Sequence, residues 1–253
     1  MSNAVRLVWF YLKPELKPPV WIMAEWTTFL IQIGIYGAIL SQLVTGIDNY
    51  RQFFAVGVVI MLTFDMGTHT GRHFVEDAHE GRLPYLLSLP ISRSELFLTI
   101  ALQGGAELAL MMAVPLIGAL LIIGNFTWVS VMAVVLTLFW LGFGVASMML
   151  ALSFIAFKSS DMYVAIVTGL SALIIRFSTV LYPYIFLPAQ YVTAAKLSPL
   201  TYGSDLVRLL LGFDPSILMN PIYCVGVLAA LSISTLGLGM FLVQRLVEGV
   251  KSG

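Results

Sequence analysis

Charged residues are scarce in this chain of 253 residues. Asp, Glu, Lys and Arg make up 10% of it, against about 25% in a typical soluble domain. So few charges cannot cover the surface of a soluble globule of this size. The 13 basic and 13 acidic residues leave no net charge, and hence no basic surface for nucleic acid. This composition excludes a soluble enzyme, a disordered chain and a nucleic-acid-binding protein.

Cysteine and histidine are scarce as well. The one cysteine, Cys224, excludes an intrachain disulfide, and the three histidines all fall within residues 69–79. The sequence contains neither the Gly-x-x-x-x-Gly-Lys phosphate loop nor the His-Glu-x-x-His zinc motif. We therefore expect no catalytic residue, bound metal or cofactor in this chain, and no ATP hydrolysis by it. Its first twenty residues lack an uninterrupted apolar core, so we expect no secretory signal there.

Long apolar runs are abundant instead, and hydrophobic residues make up 59% of the chain. A helix that crosses the hydrocarbon core needs about 20 mainly apolar residues. Continuous apolar runs favour helices over the alternating strands of a membrane β-barrel. The sequence thus predicts an all-α membrane protein with a single transmembrane domain over residues 1–253. Its six predicted transmembrane helices lie near Trp21–Val44, Phe53–Arg72, Leu96–Ile123, Trp128–Phe157, Met162–Leu181 and Pro221–Gln244.

The distribution of basic residues predicts the orientation of these helices. Cytoplasmic loops carry an excess of Lys and Arg. With the N-terminus inside, nine of the 13 basic residues are cytoplasmic and four are outside. We therefore expect a multi-pass protein of the cytoplasmic membrane with both termini inside. Within residues 1–20, Val5–Leu16 mixes aromatic and basic residues, which predicts an amphipathic helix in the cytoplasmic interface.

The long outer connection, residues 182–220, is too apolar for a solvated loop. Its prolines, among them Pro188 and Pro199, prevent one straight span. Two short re-entrant helices fit this pattern best, and irregular backbone at that depth must be buried by protein or line a cavity. We expect Ser198 to cap the second of them, with Pro199 in its first turn. Asp205 and Arg208 are three residues apart, a spacing at which they can pair.

The long cytoplasmic connection, residues 75–95, combines charged ends with a short apolar run. Leu83, Leu86 and Leu87 share one face of a predicted short helix. Such an apolar ridge suits docking in a groove on a soluble partner. The alternative is an amphipathic loop that rests on lipid headgroups.

Both connections contain motifs that resemble one family. The residues Glu80, Gly81, Leu83, Leu86, Leu87, Pro90, Arg93 and Glu95 look like the cytoplasmic signature of ABC-2 type transporter permeases. The chain departs from that signature at Arg82 and Pro84. The residues Pro199, Leu200, Thr201, Tyr202, Asp205, Arg208 and Gly212 are similar to the outer re-entrant segment of the same family.

This resemblance implies a function. It implies the permease subunit of an ATP-driven exporter, with a lipidic, glycan or hydrophobic drug-like substrate. It implies two copies of a separate ATP-binding subunit, which carry the ATP and Mg, and a second permease subunit, identical or homologous. The cytoplasmic motif then contains the coupling helix that contacts the ATPase. The outer residues Pro188, Pro199, Tyr202, Asp205 and Arg208 then form an outer gate.

Ionisable residues inside predicted spans are costly and usually face the bundle interior or water. Glu25 lies about one turn inside the start of the first span, and we expect its carboxylate to reach the membrane interface. Asp65, His69 and His73 share one helix face at i, i+4 and i+8. This pattern favours a hydrated polar stripe, and a Zn or Cu site is the alternative. Residues that could line a transport path are Asp65, His69, Glu107 and Arg176.

Gly67-x-x-x-Gly71 on the same helix predicts a close helix contact. A similar contact is expected beside Glu107, where Gly104 and Gly105 adjoin in mid-span.

Two other functions are open alternatives. An ATP-independent secondary transporter would use Glu107 or Asp65 as a proton relay. An intramembrane protease would use Ser171, since Gly169-Leu170-Ser171-Ala172 superficially resembles the serine motif of rhomboid proteases. A serine nucleophile needs a base such as His within reach. The histidines all fall near the cytoplasmic end of the second predicted span, so we do not expect catalysis.

Overall fold

A computed structural model describes residues 20–44, 46–47, 49–88, 92–155 and 159–251, and at 21, 84, 87 and 243–251 it describes the backbone alone. The predicted interfacial helix Val5–Leu16 lies outside the described residues. Over the described ranges the chain forms helices and turns without a strand. The α-helices are α1 Val20–Ile31, α2 Ala38–Leu43, α3 Tyr50–His79, α4 Arg82–Ser88, α5 Arg93–Met111, α6 Ala113–Ile123, α7 Trp128–Ile155, α8 Ser160–Arg176, α9 Ala189–Ala195, α10 Pro199–Leu210 and α11 Pro221–Lys251. A π-helical segment, Gln32–Gly37, joins α1 to α2.

Four stretches among the described residues are long and apolar enough to cross a membrane. They are Ile22–Leu43, Tyr50–His79, Trp128–Ile155 and Pro221–Leu242, and the bent pair α5–α6 makes a fifth if it is one span. The all-helical membrane architecture agrees with the sequence prediction. Helix α8, with 17 residues, is about 26 Å long at 1.5 Å per residue, slightly less than the hydrocarbon core. The predicted number of six spans stays a prediction.

The predicted third span, Leu96–Ile123, is divided into α5 and α6 by a bend of 44°. Pro115 has no N–H to donate to the Met111 carbonyl four residues earlier, which frees that oxygen. The indole Nε1 of Trp26, in α1, donates to the freed oxygen at 3.0 Å. The bend is therefore held by a hydrogen bond from a neighbouring helix.

Helix α7 lies in the centre and packs against α3, α5 and α11. A Cβ built on Gly67 or Gly71 would lie 2.5 Å from Val145 Cγ1 or from the Met149 carbonyl oxygen. The close contact predicted for Gly67-x-x-x-Gly71 is thus confirmed, and its partner is α7. A Cβ on Gly104 would lie 2.7 Å from Ala146 Cβ, so α5 also approaches α7 closely, as predicted.

Helix α8 runs antiparallel to α3. Near the start of α8, the Tyr163 hydroxyl donates to the Thr68 carbonyl of α3 at 2.8 Å. Beyond the end of α8, the Leu181 carbonyl accepts a hydrogen bond of 2.9 Å from the Tyr50 hydroxyl, at the start of α3. These two bonds lie at opposite ends of the bundle. We call the end with the C-terminus of α3 the α4 end, and the end with the N-terminus of α3 the α10 end.

Large apolar side chains on the outer faces of the bundle are exposed. Val20, Trp128 and Ile222 are each more than 80% exposed. In water such a surface would favour aggregation, whereas lipid tails solvate it. The outer faces therefore fit a membrane environment.

Candidate functional site

The first candidate region is the segment that carries the cytoplasmic motif. Gly81 has a φ of 77°, which an L-residue with a side chain rarely adopts, and it turns the chain from α3 into α4. Leu86 is 7% exposed, and Leu83 packs on a small cluster that includes Phe74 and Phe97. The apolar side of α4 is therefore turned toward its own chain.

The outward side of α4 is polar and aromatic. Tyr85 is 68% exposed, and the Arg82 side chain is 64% exposed. The Arg82 guanidinium donates to Asp77 at 2.9 Å and also to the Glu80 carboxylate. The prediction of an outward apolar ridge at Leu83 and Leu86 is therefore wrong, because these side chains are turned toward α3 and α5 of the same chain.

The rest of the motif begins α5. Ser92 and Glu95 form a capping box, in which the Ser92 N–H donates to Glu95 Oε2 at 2.8 Å and the Glu95 N–H donates to Ser92 Oγ at 3.2 Å. Arg93 is the first residue of that helix. Glu95 thus has a local role in starting α5. The side chain of Leu87 and all of Pro90 lie outside the described residues.

The second candidate region is a cavity of about 210 Å³ between α3, α4 and α5. We call it the α4 cavity. It brings together His69 and Glu107, two predicted transport-path residues, with the coupling segment. Its lining consists of Met66, His69, Thr70, His73, Phe74, Asp77, Arg82, Leu86, Ile100, Gln103, Gly104, Glu107 and Leu108.

The other predicted path residues lie outside the lining of the α4 cavity. Asp65 is half-buried one turn from His69 and interacts electrostatically with Glu25 of α1. Arg176 is exposed in the last turn of α8, where a positive charge suits the helix dipole. The predicted path residues therefore do not form one group.

The histidine stripe does not form a metal centre in the described part of the chain. The rings of His69 and His73 have centroids 6.3 Å apart. Among the described residues, no three or more His, Cys, Asp or Glu side chains are grouped so that they could hold a metal ion. His73 approaches Glu76 instead, at 3.5 Å.

The third candidate region lies at the α10 end, around a fully buried arginine. The guanidinium of Arg208 is 0% exposed and lies over the Phe53 ring, with Cζ 3.4 Å from the ring centroid. It donates to the carbonyl oxygens of Thr179 at 2.9 Å and Phe53 at 3.2 Å, and also to that of Val180. Because arginine stays protonated even when it is buried, the positive charge of Arg208 needs a compensating group within the protein.

Asp205 supplies that compensation. Its Oδ1 is 3.4 Å from Arg208 Nη1 and accepts from the Thr179 hydroxyl at 3.1 Å, while Oδ2 accepts from the Met219 N–H at 3.1 Å. The predicted pairing of Asp205 with Arg208 is confirmed. We call these two residues, with Thr179, the Arg208 cluster. It joins α3, the turn after α8, α10 and the segment before α11.

The remaining outer residues support the same arrangement. Tyr202 is buried, and its hydroxyl donates to the Lys196 carbonyl at 2.6 Å. Pro188 is exposed immediately before α9, and Pro199 is buried in the first turn of α10. Ser198 is the N-cap residue of α10, but its side chain makes no capping bond.

The Ser198 hydroxyl donates instead to the Ile174 carbonyl at 2.9 Å. The predicted cap is therefore wrong: the hydroxyl is oriented toward a carbonyl near the end of α8 and accepts no hydrogen bond from the first turn of α10.

Two polar residues that the sequence did not single out hold the α10 end together. Thr179 contributes its hydroxyl and its carbonyl to the Arg208 cluster. Gln52 donates from Nε2 to the carbonyls of Ile122 and Ile123, each at 3.2 Å, and so caps the end of α6. The position of a polar residue such as Gln52 beside an apolar run indicates that its side chain needs a hydrogen-bond partner. It does not identify that partner, which lies 70 residues away.

Comparison with protein-family models and with curated proteins finds no match to this chain.

Proposed function

We propose that this chain is the transmembrane permease subunit of an ATP-driven exporter of the ABC-2 type. It moves a lipidic, glycan or hydrophobic drug-like substrate across the cytoplasmic membrane. The energy comes from two copies of a separate ATPase subunit, and a second permease subunit completes the path. The observation that carries this proposal is the segment with the cytoplasmic motif. It contains a short helix, α4, that packs at one end of α3, and α3 has 30 residues and reaches both ends of the bundle.

The topology of the proposal has six spans and both termini inside. The close contacts support alternating directions, since α7 runs parallel to α3, whereas α5 runs antiparallel to α7. Helix α8 extends beside α3 from Thr68 to the turn at Leu181. We count it as the fifth span in chain order, which brings the total to six. Helices α9 and α10 then form the outer re-entrant segment.

In this proposal the ATPase meets the outward side of α4. Tyr85 and the ends of α4 and α5 form the contact, while Leu86 anchors α4 to its own chain. The Arg82–Asp77 ion pair, at 2.9 Å, transmits a displacement of α4 to α3. Because α3 has 30 residues, it is about 45 Å long and reaches the Arg208 cluster. The outer segment therefore moves together with α3, which is how we interpret the predicted gate residues.

Purification of the full chain from its native membrane tests this proposal. We expect a stoichiometric partner that contains a phosphate-binding loop, and ATP hydrolysis by the reconstituted complex that one member of a panel of lipids, glycans and drugs stimulates. A chain that transports without any ATPase partner would contradict the proposal.

The α4 cavity favours a second candidate, an ATP-independent secondary transporter. It places Glu107 together with His69, His73 and Asp77, so protons could pass from the α4 end toward mid-membrane through titratable side chains. Transport by the chain alone in proteoliposomes, driven by a pH gradient and abolished by Glu107→Gln, would support this candidate and exclude the first.

A further inference from the structure

We propose that the α4 cavity is a binding site for a small organic cation that carries an apolar group. The site shares residues with the proposed transport path. Binding of this ligand depends on the walls of the cavity, however, and not on ATP-driven transport. Its test needs no ATPase, so either proposal can fail without the other.

The walls of the α4 cavity are amphipathic. Polar groups come from all three surrounding helices, and those of α3 and α5 include His69, Gln103 and Glu107. Apolar surface comes from Phe74 and Leu86, which are each 7% exposed. A ligand that satisfies both kinds of wall has a charged or polar part and a hydrophobic part.

The charge of the lining favours a cation. Two carboxylates, Asp77 and Glu107, face one guanidinium, that of Arg82. The Arg82 guanidinium already forms ion pairs with the carboxylates of Asp77 and Glu80, so its positive charge is compensated. The carboxylates of the lining therefore outnumber its guanidinium by one. Phe74 adds an aromatic group to the lining, and aromatic rings attract quaternary ammonium groups.

The size and access of the cavity limit the ligand further. Its volume of about 210 Å³ is below the roughly 300–1,000 Å³ of pockets for drug-sized molecules, which selects a compact ligand. The His73 and Arg82 side chains are 63% and 64% exposed, so the polar side of the cavity is open at the α4 end. A cation can therefore enter from that side without a prior rearrangement of α4.

The test compares two probes of nearly equal shape on the purified full chain in lipid nanodiscs. Benzyltrimethylammonium carries the charge, and neopentylbenzene is its neutral isostere. Equilibrium dialysis measures binding, with empty nanodiscs subtracted. We expect saturable binding of the cation at one site per chain and no saturable binding of the isostere. Equal binding of the two probes, or no saturable binding of the cation, would overturn the proposal.

Two matched variants locate the site. Glu107→Gln removes the cavity carboxylate with little change of shape and should weaken binding of the cation about tenfold, as expected for one charge interaction in a partly buried site. Glu25→Gln removes a carboxylate of α1 that does not line the cavity and should leave the affinity unchanged. The same affinity in Glu107→Gln as in the wild type would show that the cation binds elsewhere and would overturn the assignment.

The lipid composition identifies the source of the cation. A lipid headgroup with a quaternary ammonium would compete with the probe. The probe then binds more weakly in nanodiscs that contain phosphatidylcholine than in nanodiscs of an uncharged galactolipid, which has the same net charge but no ammonium group. Equal affinity in both lipids supports a free small cation as the occupant. Either result supports the cation site and distinguishes its two sources.

Discussion

Replacement of Arg208 by methionine is the sharpest test of how the α10 end is held together. The change keeps much of the side-chain volume but removes the charge and every donor. It leaves the carbonyls of Phe53, Thr179 and Val180 without this donor and the Asp205 carboxylate without its counter-charge.

The expected loss is large. Removal of one partner from a buried ion pair costs about 3–5 kcal/mol, because the remaining charge is uncompensated. For a chain of this size each kcal/mol corresponds to a shift in melting temperature of roughly 2–4 °C. We therefore expect Arg208→Met to lower the melting temperature by about 10 °C. Thermal unfolding in detergent, followed by size-exclusion chromatography, measures the shift.

Two comparisons make this prediction specific. The control Arg176→Met removes an exposed arginine from the end of α8 and should cost at most about 1 kcal/mol. The double variant Asp205→Asn/Arg208→Met should be more stable than Arg208→Met alone, because it leaves no uncompensated carboxylate. An Arg208→Met variant as stable as Arg176→Met would refute the role that we assign to the Arg208 cluster.

Three further predictions concern the packing of the membrane helices and α4. Gly57→Ala should lower the melting temperature markedly, because its Cβ would overlap the carbonyl oxygen of the turn after α8. The control Gly226→Ala places its Cβ in open space and should not lower it, so equal stability of the two variants would contradict this close approach. Trp26→Phe should cost about 1 kcal/mol of unfolding free energy by removing the hydrogen bond at the α5–α6 bend, and an unchanged melting temperature would argue against that bond. Leu86→Asp should increase proteolysis between α3 and α5, because it places a charge in a buried site. Tyr85→Asp should leave proteolysis unchanged and reduce association with the ATPase. The reverse pattern would show that Leu86, and not Tyr85, lies on the outward side of α4.

The long membrane helices could be predicted because their signal is local. A continuous apolar run such as Trp128–Ile155 admits one regular structure in lipid, since every backbone group must be paired within the segment. The Asp205–Arg208 pair was predictable for a similar reason, because three residues of helix bring the two side chains to one face.

The features that the sequence did not reveal depend on distant partners. The apolar face of α4 could equally dock on a partner protein or on its own chain, and only the packing of Leu83 and Leu86 decides between them. The Ser198 hydroxyl is oriented toward the Ile174 carbonyl and not toward the N–H groups of α10, and the local sequence does not identify that distant partner. The break in the third predicted span was not predicted, although Pro115 has no N–H to donate to the Met111 carbonyl. The partner of that carbonyl, Trp26, lies 85 residues away.

Site-specific photo-crosslinking at Tyr85 tests the proposed function most directly. The full chain carries a photoreactive phenylalanine at this exposed position of α4 in its native membrane, and mass spectrometry identifies the cross-linked species. A matched chain carries the same group at Tyr191, which is exposed in α9 at the opposite end of the bundle. We predict that the Tyr85 position cross-links to a protein with a phosphate-binding loop and that the Tyr191 position does not. Cross-links from Tyr85 to lipid alone, in membranes where the chain is active in transport, would contradict the proposal.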